Sequence, residues 1–250
     1  MATSCIISLA LVFFFHHLII LSAAQPSFVY YNCSLGKGTY IKPSAYYTNL
    51  NALLSSFTLD TVIDYGFYNS SFGKSPDKVH AQGLCRGDEE PLACRKCLND
   101  AKTLLPKLCP YQKDAFGYYD ICTFQYSSRS LLGIYRFPDF SHSFNNPQDA
   151  EDAQHYTIAL NDLMRSLKSK AASGDSTFKF AAEYKMTGDE SEPTVYGLAQ
   201  CSPDLSRRDC DACLGNAISK IPDCCENKIG GRVIKFSCNL RFEKVHFYDD

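Results

Sequence analysis

Five cysteines recur at one fixed offset, and this repeat restricts the fold of the chain more than any other feature. Cys85, Cys94, Cys97, Cys109 and Cys122 are matched by Cys201, Cys210, Cys213, Cys225 and Cys238, a constant shift (201 − 85 = 116). The centre of the pattern is Cys-x8-Cys-x2-Cys. The same shift carries Val79 onto Val195, Leu98 onto Leu214, Ala101 onto Ala217 and Pro106 onto Pro222, with no insertion. Agreement at so many positions marks a tandem duplication. Each unit is far longer than a solenoid repeat and can hold a core of its own.

The compartment follows from the first residues. Met1 to Ala24 contains no Asp, Glu, Lys or Arg, and Ile6 to Leu21 is almost wholly apolar, the pattern of a secretory signal. Ser22-Ala23-Ala24 offers small residues for cleavage, so residues 1–24 read as a signal peptide and the mature chain as starting at Gln25. No later run is long and apolar enough to span a bilayer, which predicts a mature chain without a membrane anchor. Removing Cys5 leaves twelve cysteines (13 − 1 = 12), an even number in an oxidising compartment, where pairing is the default. A net charge of −2 sets aside a nucleic-acid binder that works by phosphate neutralisation. Two sequons, Asn69-Ser70-Ser71 and Asn32-Cys33-Ser34, are glycosylation candidates, the second weakened by its central cysteine.

The periodicity predicts the same elements twice. After Ser44, an N-cap residue, Leu50, Leu53, Leu54 and Phe57 recur at helical spacing, and Leu160, Leu163, Met164 and Leu167 repeat the stripe, closed by Ser173-Gly174. A second helix carries Cys94, Cys97, Leu98, Ala101 and Leu105, matched by Cys210, Cys213, Leu214, Ala217 and Ile221, with Pro106 and Pro222 expected to end it. Segments rich in β-branched and aromatic residues read as antiparallel strands: 61–68, 78–85 and 116–126, then 177–186, 194–201 and 231–245. The expected fold is α+β, two tandem domains, each an antiparallel sheet packed with two helices and stapled by disulfides. Pro138 to Pro147 has linker composition, which puts the domains at 25–137 and 138–250 with the boundary near Phe137.

Two Cys-x8-Cys-x2-Cys modules, each with a later cysteine 25 positions beyond the last motif cysteine (122 − 97 = 25), resemble the plant cysteine-rich repeat secretory proteins. Their module is the ginkbilobin-homologous or stress-antifungal domain. The resemblance implies the pairs Cys33–Cys109, Cys85–Cys94 and Cys97–Cys122 in the first unit, and Cys201–Cys210 and Cys213–Cys238 in the second. A partner for Cys225 is expected near residue 149, where no cysteine stands. Cys224 and Cys225 are left to pair with each other, to stay as thiols or to bridge to another chain; the vicinal pair is the one favoured. The start of the second domain, 148–154, is then expected to be held less firmly than its counterpart.

Chemistry offers less. A Cys-x2-Cys redox pair is disfavoured because each motif cysteine has a structural partner within the family pattern. His80, His142, His155 and His246 are scattered without ligand spacing, so no metal or cofactor is expected. No nucleophile elbow, phosphate loop or His-Glu-x-x-His motif is present, which argues against an enzyme. The acidic runs Asp149, Glu151, Asp152 and Asp88-Glu89-Glu90 read as solvated helix starts. The resemblance further implies a mannose site: an Asn after the first framework cysteine, an Arg six before the last cysteine and a Glu five after it. The second unit holds Arg232 and Glu243 at two of those places, while the first holds Ser34, Phe116 and Ser127. The competing role for Arg232 and Glu243 is a salt bridge between neighbouring strands. The expected function is a secreted, non-enzymatic defence or stress-response protein of the apoplast that binds a mannose-containing glycan and has antifungal action. The alternative is a module that recognises an extracellular protein, such as a receptor ectodomain or a second copy of itself.

Overall fold

A computed structural model describes residues 28–33, 38–58, 65–135, 140–186 and 195–249. The segment 1–24 read as a signal, the boundary expected near Phe137 and parts of the strands expected from 61 and 194 lie outside these residues.

Each half begins with an edge strand, β1 (Phe28–Asn32) and β6 (His142–Asn145). In the first half there follow α1 (Ala45–Ser56), β2 (Phe67–Phe72), β3 (Val79–Cys85), α2 (Pro91–Leu108), β4 (Ala115–Tyr119) and β5 (Cys122–Ser127). The second half continues with α3 (Ala153–Ala172), β7 (Phe180–Lys185), β8 (Val195–Cys201), α4 (Arg207–Ile218), α5 (Ile221–Cys225), β9 (Gly230–Ile234) and β10 (Cys238–Glu243). Both halves form five-stranded antiparallel sheets with the same connectivity, β1-β4-β5-β3-β2 and β6-β9-β10-β8-β7. The α+β class with paired, disulfide-stapled sheets is thus what the chain adopts.

The helices form where their sequence directs. Ser44 caps α1 by accepting from the Tyr47 amide, and the helix buries Tyr46, Leu50 and Leu53. Asp152 caps α3 in the same way, accepting from the His155 amide. The cysteines of α2 lie on its buried stripe with Leu98, Ala101 and Leu105, so each bridge ties the helix to the sheet from within the core. Six disulfides are present: Cys33–Cys109, Cys85–Cys94, Cys97–Cys122, Cys201–Cys210, Cys213–Cys238 and Cys224–Cys225.

Three readings need correction. Pro106 does not end its helix. It sits in the last turn of α2, which runs on to Leu108, because so near the C-terminus a proline removes one ladder bond and Cys109 still closes the turn on Leu105 O. Pro222 opens α5 instead, in a first turn where a missing N–H costs nothing. The segment 138–147, read as linker, contains strand β6. Four residues with one aromatic give no period of their own; pairing with β9 and packing from the other domain make them a strand.

Alternation along the strands gives each sheet two different faces. Leu240 and Phe242 of β10, and Phe124 and Tyr126 of β5, point into the helix-covered cores. The opposite faces turn toward each other. Phe116 and Tyr118 of β4 share a buried cluster with Ile234 of β9, against which Tyr30, Phe140, Phe144 and Phe236 pack. The Phe116 and Phe236 rings meet edge to face at 5.1 Å. Beside this cluster lies an amide network. Gln125 donates to Gln82 (2.8 Å), Gln82 to Ser202 (2.7 Å), and Gln200 to the carbonyl of Cys85 (2.8 Å). Buried amides left unpaired would each cost about 1–3 kcal/mol, so this network fixes the docking register. At Gly87 a Cβ would stand 2.4 Å from the ring of Phe180, so only glycine permits this approach. The result is a helix–sheet–sheet–helix stack.

His142 belongs to the same interface. Its ring stacks on Tyr30 at 3.9 Å and meets Phe144 at 4.6 Å, and burial lowers its pKa below 6.5. A histidine held neutral in this way contributes stability that is complete above its unfolded value and is lost as pH falls through that value toward the folded one. His142→Phe is expected to flatten the fall in stability over the acid range below about pH 6.5, the ordinary histidine value. Urea melts across that range would measure it, and an unchanged slope would count against the assignment.

Candidate functional site: a charged cluster at the domain interface

The face that docks the two sheets becomes charged toward one edge. Arg232 on β9 and Glu243 on β10 lie there, but they do not pair with each other. Across the ladder Arg232 faces Arg241, and Glu243 faces Gly230. Glu243 takes an ion pair from Arg241 (Nε to Oε1, 3.1 Å), while Arg232 donates through Nη1 to Asp120 in the β4–β5 turn of the first domain. The salt bridge weighed for Arg232 and Glu243 is therefore replaced by two others, one of them crossing between domains. Both side chains are largely covered, at 16% and 15% exposure, so neither pair is a loose surface contact.

Gly230 leaves room for this arrangement. A Cβ there would fall 2.0 Å from Glu243 Oε2, so the carboxylate lies directly over the glycine. Burial and the neighbouring Arg232 lower the pKa of Arg241, against the pull of Glu243 and Asp120; a guanidinium starts so high that it stays charged. The C-terminal segment closes one side. The ring of Phe247 lies 4.1 Å from the Arg241 guanidinium, and the Asp249 amide donates to Asp88 (2.9 Å).

Asp88 and Glu89 are not a solvated helix start. Asp88 is 3% exposed and takes two bonds from Arg86, at 2.6 and 2.8 Å, while Glu89 takes another at 2.8 Å. Burial opposes the charge on Arg86, but the bond to Asp88 and the carboxylates of Asp88, Glu89 and Asp120 raise its pKa overall. Burial raises that of Glu89, helped by Asp88, Asp249 and Asp120 and opposed by Arg86. Of the three, only Glu90 serves at the helix start, as the N-cap of α2.

The third family position comes from strand register. In β1, Asn32 pairs with Phe116, and in β6, Phe144 pairs with Arg232, which lies 116 residues after Phe116. Phe144 therefore stands where Asn32 does, a shift of 144 − 32 = 112, and Asn145 takes the place of Cys33. The place expected near residue 149 is thus four residues earlier. There a hydrogen bond replaces the long bridge: Asn145 Nδ2 donates to the carbonyl of Cys224 (2.8 Å). Counting back from the motif missed this because the second unit is four residues longer between the edge strand and the first motif cysteine (201 − 145 = 56 against 85 − 33 = 52), although its first stretch, to the bridge Asp149↔Lys228, is two shorter than that to Thr39↔Gln112 (149 − 145 = 4 against 39 − 33 = 6). The residue after the Cys33 place is then Asn146. Its backbone N–H donates to Gly230 O (2.9 Å), and its side-chain Oδ1 accepts from the backbone N–H of Gln148 (3.1 Å). Asn146, Glu243 and Arg232 thus gather around Gly230 in the second domain. In the first domain Phe116 and Ser127 are buried, and Ser34 lies outside the described residues.

Of the two sequons, Asn69 is exposed on β2, and Asn32 is half-buried in β1 beside the bridged Cys33. Among the described residues no group of His, Cys, Asp and Glu could hold a metal ion, and no helix is long and apolar enough to cross a membrane.

Two like domains docked through their sheets, each stapled through a Cys-x8-Cys-x2-Cys motif that runs from a strand into a helix, define a tandem cysteine-framed protein. The salt stress response/antifungal family model matches residues 32–129 and 142–245, and the chain belongs to that family. It is 39% identical over 88% of its length, and 88% of the other's, to an antimicrobial ginkbilobin-2-like protein of Castanea crenata. It is 34% identical to cysteine-rich repeat secretory protein 38 of Arabidopsis thaliana, covering 92% of this chain and 90% of that one. Among solved structures, the tandem DUF26 ectodomain of the Arabidopsis thaliana receptor-like protein PDLP8 shares its fold with a TM-score of 0.73 at 23% identity, over 89% of this chain and all of that one. The corresponding PDLP5 ectodomain gives 0.68 at 29%, over 88% and all.

Proposed function

We propose that this is a secreted, non-enzymatic defence or stress-response protein of the apoplast that binds a mannose-type glycan through its second domain and acts against fungi. The observation that carries the reading is the grouping of Asn146, Arg232 and Glu243 around Gly230. A carboxylate, a cation and an amide supply acceptors and donors for adjacent sugar hydroxyls, and charge-assisted bonds of this kind are the stronger ones. Asp120 accepts from Arg232 Nη1, and a guanidinium has four further N–H donors, so the first domain orients the arginine for a ligand. The antimicrobial name of the chestnut relative supports the defence role. A glycan on exposed Asn69 would lie on β2, at the far edge of the other sheet.

A second reading, recognition of an extracellular protein, draws on the coverage of Arg232 and Glu243 by Asp120, Arg241 and the C-terminal segment. Calorimetric titration with mannose and a mannan array separates the two. The glycan reading predicts binding that falls about tenfold or more in Arg232→Ala and Asn146→Ala. Absent binding, or binding that both variants retain, would remove it and leave protein recognition.

A further inference from the structure

The first domain carries a second candidate site, remote from the charged cluster. Between α1 and α2 runs a groove of about 390 Å3, within the size range of small-ligand sites of roughly 300–1,000 Å3. Lys42, Lys102 and Lys107 line it with Tyr40 and Tyr47, and no Asp or Glu is among its lining residues. Among the described residues none of the three lysines has a carboxylate partner. Lys42 rests on aromatic faces, its Nζ 4.8 Å from the Tyr47 ring centre and 5.4 Å from that of Tyr111. Lys102 donates to Thr58 Oγ1 (3.0 Å), and burial alone lowers its pKa. Three uncompensated ammonium groups around one concavity in a chain of net charge −2 are a local field that selects an anion.

We propose that this groove binds an acidic, uronate-bearing oligosaccharide. The lysines match carboxylates spaced along a chain. Tyr47, half-buried and backed by the buried Tyr40 at 6.0 Å with 23° between their planes, offers ring surface to the apolar face of a sugar. Asn51, Ser55 and Thr103 add neutral hydroxyl and amide groups, and even where Ser55 and Thr103 donate to helix carbonyls their oxygens still accept from sugar hydroxyls. An acidic peptide would satisfy the lysines but leave the tyrosine surface and these hydroxyls without matched partners.

The test titrates the mature protein with de-esterified oligogalacturonate, fully methyl-esterified oligogalacturonate and poly-L-glutamate. Binding is expected only to the first, weakening with added salt. The exposed double variant Lys42→Glu/Lys107→Glu is expected to lose about tenfold or more of it, and Tyr47→Ala severalfold. Mannose titration of the same variants, with unchanged circular dichroism, shows that the fold and the second-domain site are intact. No binding of the acidic oligosaccharide, equal binding of poly-L-glutamate or of the methyl ester, or full binding by the double variant would each overturn the proposal.

Discussion

Phe116→Ala will lower the unfolding free energy by about 3–5 kcal/mol, the usual cost of emptying a buried aromatic site. The size of the effect is what makes it informative. Phe116 lies on the sheet face that no helix of its own domain covers, yet it is fully buried, because Phe140 and Phe236 close over it. If the two sheets were not docked, the side chain would be a surface aromatic, and its removal would change stability by about 0.5 kcal/mol or less. Guanidinium unfolding followed by fluorescence distinguishes the cases. A loss below about 1 kcal/mol would contradict the face-to-face stack.

The second large effect concerns the bridges that differ between the domains. The ring closed by Cys33–Cys109 spans most of the first domain, and the chain-entropy account assigns it about 4.5 kcal/mol. The ring of Cys224–Cys225 spans two residues and receives about 1 kcal/mol on the same account. Replacing both cysteines of each pair with serine should reproduce that inequality in thermal melts. Asn145 explains why the second domain tolerates the difference: its hydrogen bond to the Cys224 carbonyl holds the edge strand where the first domain uses a covalent link. Equal destabilisation by the two double substitutions would show that ring size does not govern either domain.

Much of this architecture was legible in the residues. The repeated cysteines, the helical stripes of Leu50, Leu53 and Leu163, Leu167, the cap at Ser44 and the acidic helix start ending at Asp152 are local signals, and each produced its element. What escaped were features set by the other domain. Edge strand β6 has too few residues for a period, and its pairing and ring contacts are tertiary. Asp120 and Asp88 look like ordinary surface acids, yet they hold Arg232 and Arg86 at the interface. Asn146 was hidden for a different reason. The offset is 116 within the motif but 112 at the edge strand, and only the ladder from Asn32 to Phe116, compared with that from Phe144 to Arg232, fixes the correspondence. Arg232 and Glu243 were assigned to the family positions by counting alone. Arg241, which holds Glu243, has no family signal and was visible only in three dimensions.

The most direct test of the account follows the backbone and side-chain amide resonances of the isotope-labelled protein during a mannose titration. The predicted result is a cluster of saturable shifts at Asn146, Gly230 to Arg232 and Glu243, with Phe116 and Ser127 of the first domain unmoved. Shifts confined to the first domain, or none at sugar concentrations that saturate ordinary lectins, would contradict a glycan site at this place.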